Sequence, residues 1–139
     1  MSFVLDNSVT MRWLFLDGKP QQIEYADKVL AMIKQSKAIV PATWGLEVAN
    51  VIARAEATSK ISEAQSETFL EILNAMNIEL DHETFTYAFS DTLRLSRRYR
   101  LSSYDASYLE LALRLNLPLA TLYEDLQKAA AKAGVEKFV

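Results

Sequence analysis

Phe3-Val4-Leu5-Asp6-Asn7-Ser8 decides how the chain is read. Three consecutive apolar residues make a short run suited to a strand buried on both faces, as in a parallel sheet, and not to a half-exposed strand with alternating polarity. An acid stands directly at the end of that run, and helical spacing follows from about Ser8 to Phe15. A strand leading straight into a helix needs a crossover back to its neighbour, which is how parallel strands are joined. The same alternation continues outward along the chain.

Asp17-Gly18-Lys19-Pro20 is a turn. Ala26, Val29, Leu30 and Ile33 recur at helical spacing and predict a second helix ending near Lys37. Ala38-Ile39-Val40 reads as a second strand closed by Pro41, and a third helix is expected from about Thr43 to Glu56, burying Val48, Val51, Ile52 and Ala55. Ser62 and Gln65 have capping-box spacing and open a fourth helix, whose apolar face continues through Phe69, Ile72, Leu73 and Met76. Ile78-Glu79-Leu80 is a third strand. A fifth helix carries Phe85, Ala88, Phe89, Thr92 and Leu93, and a sixth runs from near Asp105 to Leu115. Leu117–Thr121 is a strand, followed by a helix to about Ala133 and a last strand over Val135–Phe138. The expected fold is α/β, a three-layer α/β/α arrangement around a short, mostly parallel sheet. With no repeat or linker, residues 1–139 form one domain in this reading.

Composition narrows the chemistry by exclusion. At 139 residues, a domain buries roughly 68–70% of its unfolded surface and needs no staples. The absence of cysteine removes disulfides, thiolate zinc sites and cysteine nucleophiles. Gly18, Gly45 and Gly134 are isolated, so neither a P-loop nor a dinucleotide-binding glycine turn can be built. His82 is the single histidine and has no triad motif around it; it reads as a surface or helix-start residue. The net charge of −3 argues against a protein that coats nucleic acid, so any such partner needs a local patch or a bound metal. No apolar run approaches the ~20 residues that span a bilayer, and Met1–Leu5 is too short for a signal peptide. A cytoplasmic, soluble protein is expected.

Ligands of open α/β sheets sit beyond the carboxyl ends of the strands. Asp6 is there, directly after Leu5, while Glu47 and Asp105 fall near helix starts. Singly, each has a plain explanation: Asp6 and Asp105 as helix caps, Glu47 as a first-turn acid favoured by the helix dipole. Together they mean more. Glu47 shares a helical face with Asn50 amid Leu46, Val48, Ala49, Val51 and Ile52, where an unpaired acid is unfavourable. Carboxylates ~4 Å apart repel by about 4 kcal/mol per pair at an effective dielectric of 20. A cation relieves that repulsion, and oxygen ligands alone favour Mg²⁺ or Mn²⁺ over Zn²⁺.

Four segments resemble the motifs of PIN-domain toxins of the VapC type. They are Val4-Leu5-Asp6-Asn7-Ser8 with Trp13 after it, Leu46-Glu47-Val48-Ala49-Asn50, Ser103 to Ala112 around Asp105, and Leu119-Ala120-Thr121-Leu122 followed by Leu126 to Ala130. Their order and spacing match across essentially the whole chain. The resemblance implies a metal-dependent endoribonuclease, the toxin of a toxin–antitoxin pair, with RNA as substrate, a cognate antitoxin as partner and a homodimer as its assembly. It implies Asp6, Glu47 and Asp105 as catalytic metal ligands. Ser8, Asn50, Thr121, Glu124 and Asp125 are expected to support them through hydrogen bonds or water. Their plain alternatives are a cap, a helix-face residue and an ordinary strand end for the first three.

One departure stands out: the family's fourth motif reads Ala-Thr-x-Asp, and Tyr123 takes the aspartate's place. A phenol is a poor ligand for Mg²⁺ unless ionised, which motivates an alternative, a PIN-fold binding module that is catalytically weak or inactive. A receiver-like phosphoacceptor domain is disfavoured because Asp6-Asn7 is a poor acidic pair and Val40 is followed by proline. A DNA-directed nuclease would use the same metal chemistry, and only the family resemblance favours RNA. Arg94, Arg97, Arg98 and Arg100 form the dense basic run, read either as RNA phosphate contacts or as favourable charge at a helix C-terminus; Arg12 is a further phosphate candidate. Trp13, Phe15, Tyr25 and Val29 read as core or as interface.

Overall fold

Phe3, Val4 and Leu5 are wholly inaccessible to solvent, as a strand covered on both faces requires. They belong to β1 (Ser2–Leu5), an interior strand of a four-stranded sheet in the order β3-β2-β1-β4, with β2 Lys37–Val40, β3 Ile78–Leu80 and β4 Leu119–Ala120. The structure is a computed structural model and describes all residues, Met1–Val139. Every strand pair is parallel: Phe3 faces Ala38, Val4 faces Leu119, and Ala38 faces Ile78.

Seven α-helices fill the connections: α1 Asn7–Arg12, α2 Pro20–Met32, α3 Trp44–Ala57, α4 Glu63–Asn74, α5 Leu93–Tyr99, α6 Ser103–Leu115 and α7 Glu124–Ala133. The two-residue alternation of β1 divides the core. Phe3 and Leu5 pack with Val9, Tyr25, Ala26 and Val29 of α1 and α2, whereas Val4 packs with Tyr108, Leu109, Leu126 and Ala129 of α6 and α7. A third cluster joins Met11 and Phe15 to Val48, Ile52, Phe69 and Leu73, seating α3 and α4 against the end of α1. Each fully buried side chain of this size stabilises the fold by roughly 1.5–3 kcal/mol before entropy is counted. No helix is long and apolar enough to cross a membrane.

The capping box is formed: the Ser62 hydroxyl accepts from the Gln65 N–H at 3.1 Å, and the Gln65 side chain accepts from the Ser62 N–H at 2.9 Å. Other expectations shift. The second helix stops at Met32 instead of near Lys37, and the first is shorter than expected. Ile72 is half exposed, off the buried face of α4. The last strand shrinks to a single bridge between Leu119 and Lys137, made by the Leu119 N–H donating to the Glu136 carbonyl and the Phe138 N–H donating to the Leu119 carbonyl. Phe138 stacks on Phe3 with ring centroids 3.9 Å apart, and the Tyr25 hydroxyl donates to the Phe138 carbonyl at 2.6 Å.

The largest revision concerns residues 84–99. Instead of one α-helix there is a 3₁₀ turn (Thr84–Tyr87), a π turn (Ala88–Thr92) and then α5. Phe85 and Phe89, expected on that one helix, lie on the 3₁₀ and π turns and are exposed. Buried polar groups dominate here. The Thr84 hydroxyl donates to Asp81 and accepts from the Ala42 N–H, each at 2.9 Å, which fixes the entry turn. Arg114 on α6 then bonds Asp81 at 2.6 Å and Glu110 at 2.8 Å, all three being largely buried. Burial works against ionisation of Asp81, but Arg114, the Thr84 hydroxyl and the Glu83 N–H hold it below its usual range.

Candidate active site

Asp6 follows the last residue of β1, where the backbone turns from strand into α1. Its N–H donates to the Ala120 carbonyl at 2.9 Å, so its position is set by the β1–β4 pairing. Although it occupies the N-cap position of α1, its carboxylate makes no capping bond. Oδ2 accepts instead from the Ser8 hydroxyl at 2.5 Å and the Thr121 hydroxyl at 2.7 Å. Those hydroxyls in turn accept from the Leu122 N–H and the Tyr123 N–H, and the Gln127 side chain donates to the Thr121 carbonyl. The end of β1 and the loop after β4 are therefore laced together through one carboxylate oxygen. Burial pushes Asp6 above the usual carboxylate range; Ser8 and Thr121 pull it down, and the charge of Asp105 pushes it up further.

Glu47 lies in the first turn of α3 and approaches from the side. Burial raises its carboxyl to about 7, opposed by a hydrogen bond from the Tyr108 hydroxyl and reinforced by the charges of Asp6 and Asp105. That Tyr108 bond spans 2.7 Å from a fully buried phenol on α6. Asp105 sits in the first turn of α6 but is not the cap. Ser102 is, its hydroxyl accepting from the Asp105 N–H at 3.1 Å. Burial raises Asp105 as well, and the charge of Asp125 adds to it.

Asn7, Thr43, Glu47, Asn50, Ser102 and Asp105 line an open cleft of about 520 Å³. Two of its residues carry buried polar atoms with no hydrogen-bond partner, Asn7 Oδ1 and Thr43 Oγ1. Leaving such atoms unpaired is costly, and it points to a polar occupant. In donor type, charge and burial the residues suit a hard divalent cation. As placed, however, no three acidic side chains converge closely enough to ligate one ion. Asp6, Glu47 and Asp105 share an electrostatic field without meeting at a point.

The remaining sequence candidates divide. Ser8 and Thr121 touch Asp6, and Asn50 lines the Glu47–Asp105 cleft. Glu124 and Asp125 separate: both border a cleft with Lys19 and Lys137, but only Asp125 acts on Asp105. Tyr123 is exposed and its hydroxyl donates to Asp125 at 3.1 Å. Arg12 is ion-paired with Asp17 at 2.8 Å, and Arg94 with Asp91 at 2.7 Å. Arg97 is exposed, and Arg98 lies over the Tyr99 ring. His82 is exposed. Phe15, Tyr25 and Val29 are buried within the chain, and Trp13, partly buried, donates to the Ala26 carbonyl.

Sequence reasoning passed over Tyr108 and Gln127. Tyr108 had a usable signal: it is three residues from Asp105, next to it along the same helix. Arg114 was also missed, though its i,i+4 spacing to Glu110 on a buried helix marks a paired charge.

The family model described as PIN domain matches residues 3–132. No curated protein matches the chain. Among solved structures, PAE2754 from Pyrobaculum aerophilum is similar with a TM-score of 0.65 and 18% identity, covering 93% of this chain and 87% of that one. FitAcB from Neisseria gonorrhoeae is similar with a TM-score of 0.64 and 15% identity over 100% and 97% of the two chains. VapBC2 from Rickettsia felis, bound to a DNA fragment from their promoter, is similar with a TM-score of 0.63 and 12% identity over 99% and 98%.

Proposed function

The chain belongs to the PIN-domain family, and from that premise we propose that it is a divalent-metal-dependent endoribonuclease, the toxin of a toxin–antitoxin pair acting in the cytoplasm. The observation that carries this reading is the buried Asp6 carboxylate at the end of β1, which shares one field with Glu47 and Asp105.

Asp6, Asp105 and Glu47 would hold Mg²⁺ or Mn²⁺, which supplies Lewis-acid stabilisation of the charge that develops on the scissile phosphate. Asp6 is held in one orientation by Ser8 and Thr121, which both bond the same oxygen, Oδ2. Tyr108 orients Glu47, leaving that carboxylate to position the attacking water. Asp125, the acid whose charge reaches Asp105, is the residue best placed to stand in for the aspartate that Tyr123 replaces. The family resemblance adds a homodimer and a cognate antitoxin as partners.

The second reading, a PIN-fold binding module that does not cut, rests on Tyr123 and on the carboxylates not converging. The deciding experiment incubates antitoxin-free protein with a mixed RNA pool in Mg²⁺, Mn²⁺ or EDTA, beside Asp6→Asn and Asp105→Asn. Cutting that needs metal and disappears in both variants is expected. A folded protein that cuts under none of these conditions refutes the nuclease and leaves the binding module; Tyr123→Asp then tests whether the fourth acid is what is lacking.

A further inference from the structure

The basic run does not act as one surface. Arg94 is ion-paired with Asp91 and shares one cleft with Arg98, while Arg98 and Arg100 border a second cleft with Lys128 and Lys132 of α7. These four cations and Asp125 line a cleft of about 410 Å³ between the end of α5 and α7, together with Tyr99 and Ala129. None of the four is ion-paired. Arg100 holds a left-handed backbone conformation (φ 54°) at the C-cap of α5, where the chain reverses toward α6. Lys128 and Lys132 are one turn apart on α7, about 6 Å along its axis. In a chain of net charge −3, four unpaired cations facing one acid across a concave surface are a local concentration of positive potential.

We propose that this cleft is an exosite for the RNA backbone, with Arg98, Arg100, Lys128 and Lys132 holding phosphates of a single strand that continues into the acidic cleft. The proposal rests on the ribonuclease reading above. Its link to that site is Asp125, which borders the cleft and acts on Asp105. Phosphates fit this lining better than a protein segment does. Protein partners are anchored by apolar and aromatic side chains in pockets, and here long cationic stems surround one half-buried ring. The Tyr99 ring, with Arg98 over it, offers a stacking surface of the kind single strands use. Repulsion between RNA and the three acids makes a separate cationic hold necessary before metal arrives.

The test measures binding of a fluorescein-labelled single-stranded RNA to the intact protein in EDTA, by anisotropy at several salt concentrations. Lys128→Glu/Lys132→Glu is expected to weaken binding tenfold or more and to lower the salt slope by about 1.4, two single-strand contacts at roughly 0.7 each. Lys28→Glu/Lys34→Glu, the same charge change on and just after α2, is expected to weaken it by less than threefold. Lys128→Ala/Lys132→Ala repeats the comparison should the charge reversal disturb folding. Unchanged binding in the α7 variants, or an equal loss in the α2 variant, overturns the exosite. So does unchanged RNA binding with lost binding of a polyglutamate peptide, which would reassign the cleft to an acidic protein partner. Cleavage in Mg²⁺ is scored separately. Protein that binds RNA through these lysines without cutting supports the exosite and removes the nuclease; cutting whose KM ignores the lysines keeps the nuclease and removes the exosite.

Discussion

Without metal, the protein should lose stability as pH rises through the range where most proteins are near their optimum. Glu47 carries a folded-state carboxyl raised to about 7 from a reference of 4.5. Between those values the folded state holds a proton that the unfolded chain has released, so stability falls as pH rises; it is fully present below about 4.5 and lost above about 7. A shift of that size would correspond to roughly 3.4 kcal/mol at 1.36 kcal/mol per unit. Glu47 is partly open to the cleft, and solvent screening reduces the figure to about 2 kcal/mol. Asp6 and Asp105 are raised in the same direction and deepen the loss. The assay is urea unfolding in EDTA at pH 5, 6, 7 and 8. Glu47→Gln should flatten the decline by about 2 kcal/mol, and millimolar Mg²⁺ should restore stability at pH 8 by binding the folded state alone. Metal-free stability that is level or rising from pH 5 to 7.5, or a Glu47→Gln slope equal to that of the unmodified protein, would refute the account of a repulsive, buried carboxylate group.

Tyr108→Phe removes the hydrogen bond to Glu47 and should weaken Mg²⁺ binding, read by calorimetry, by about three- to tenfold with little change in fold; unaltered affinity would take Glu47 out of the ligand set. Arg114→Met leaves Asp81 and Glu110 buried without their cation and should cost about 3–5 kcal/mol in urea unfolding; a loss below 1 kcal/mol would mean those acids simply protonate. Ser62→Ala removes the cap of α4 and should cost about 1 kcal/mol on the same measurement, without affecting metal binding.

Strand-then-helix alternation was readable because β1 and β2 are short continuous apolar runs and the helices between them are amphipathic. Asp6 was readable for the same reason, as the residue where the strand stops. The region from Thr84 to Tyr99 was not. Its course is set by Asp81 and Thr84, bonded three residues apart, and by Arg114, which reaches Asp81 from 33 residues further on, and apolar periodicity carries no trace of such polar partners. Phe85 and Phe89, whose apolar character marks no buried face here, are exposed as a result. Asp105 and Ser102 show a similar limit: both are good capping residues three apart, and only geometry assigns the cap to Ser102. The difference between Glu124 and Asp125 depends on the angle at which α7 leaves the loop, which neighbouring positions in a sequence do not encode.

The placement of β1 between β2 and β4 has a consequence for how the site assembles. Asp6 is 115 residues from its hydrogen-bond partner Thr121, and Phe3 is still further from Phe138, on which it stacks. Contacts of such sequence separation form late in folding. The Asp6 end of the candidate site is therefore assembled only when β1 and the segment after β4 have met, so a chain that is partly folded, or cut anywhere between them, has no intact acidic site.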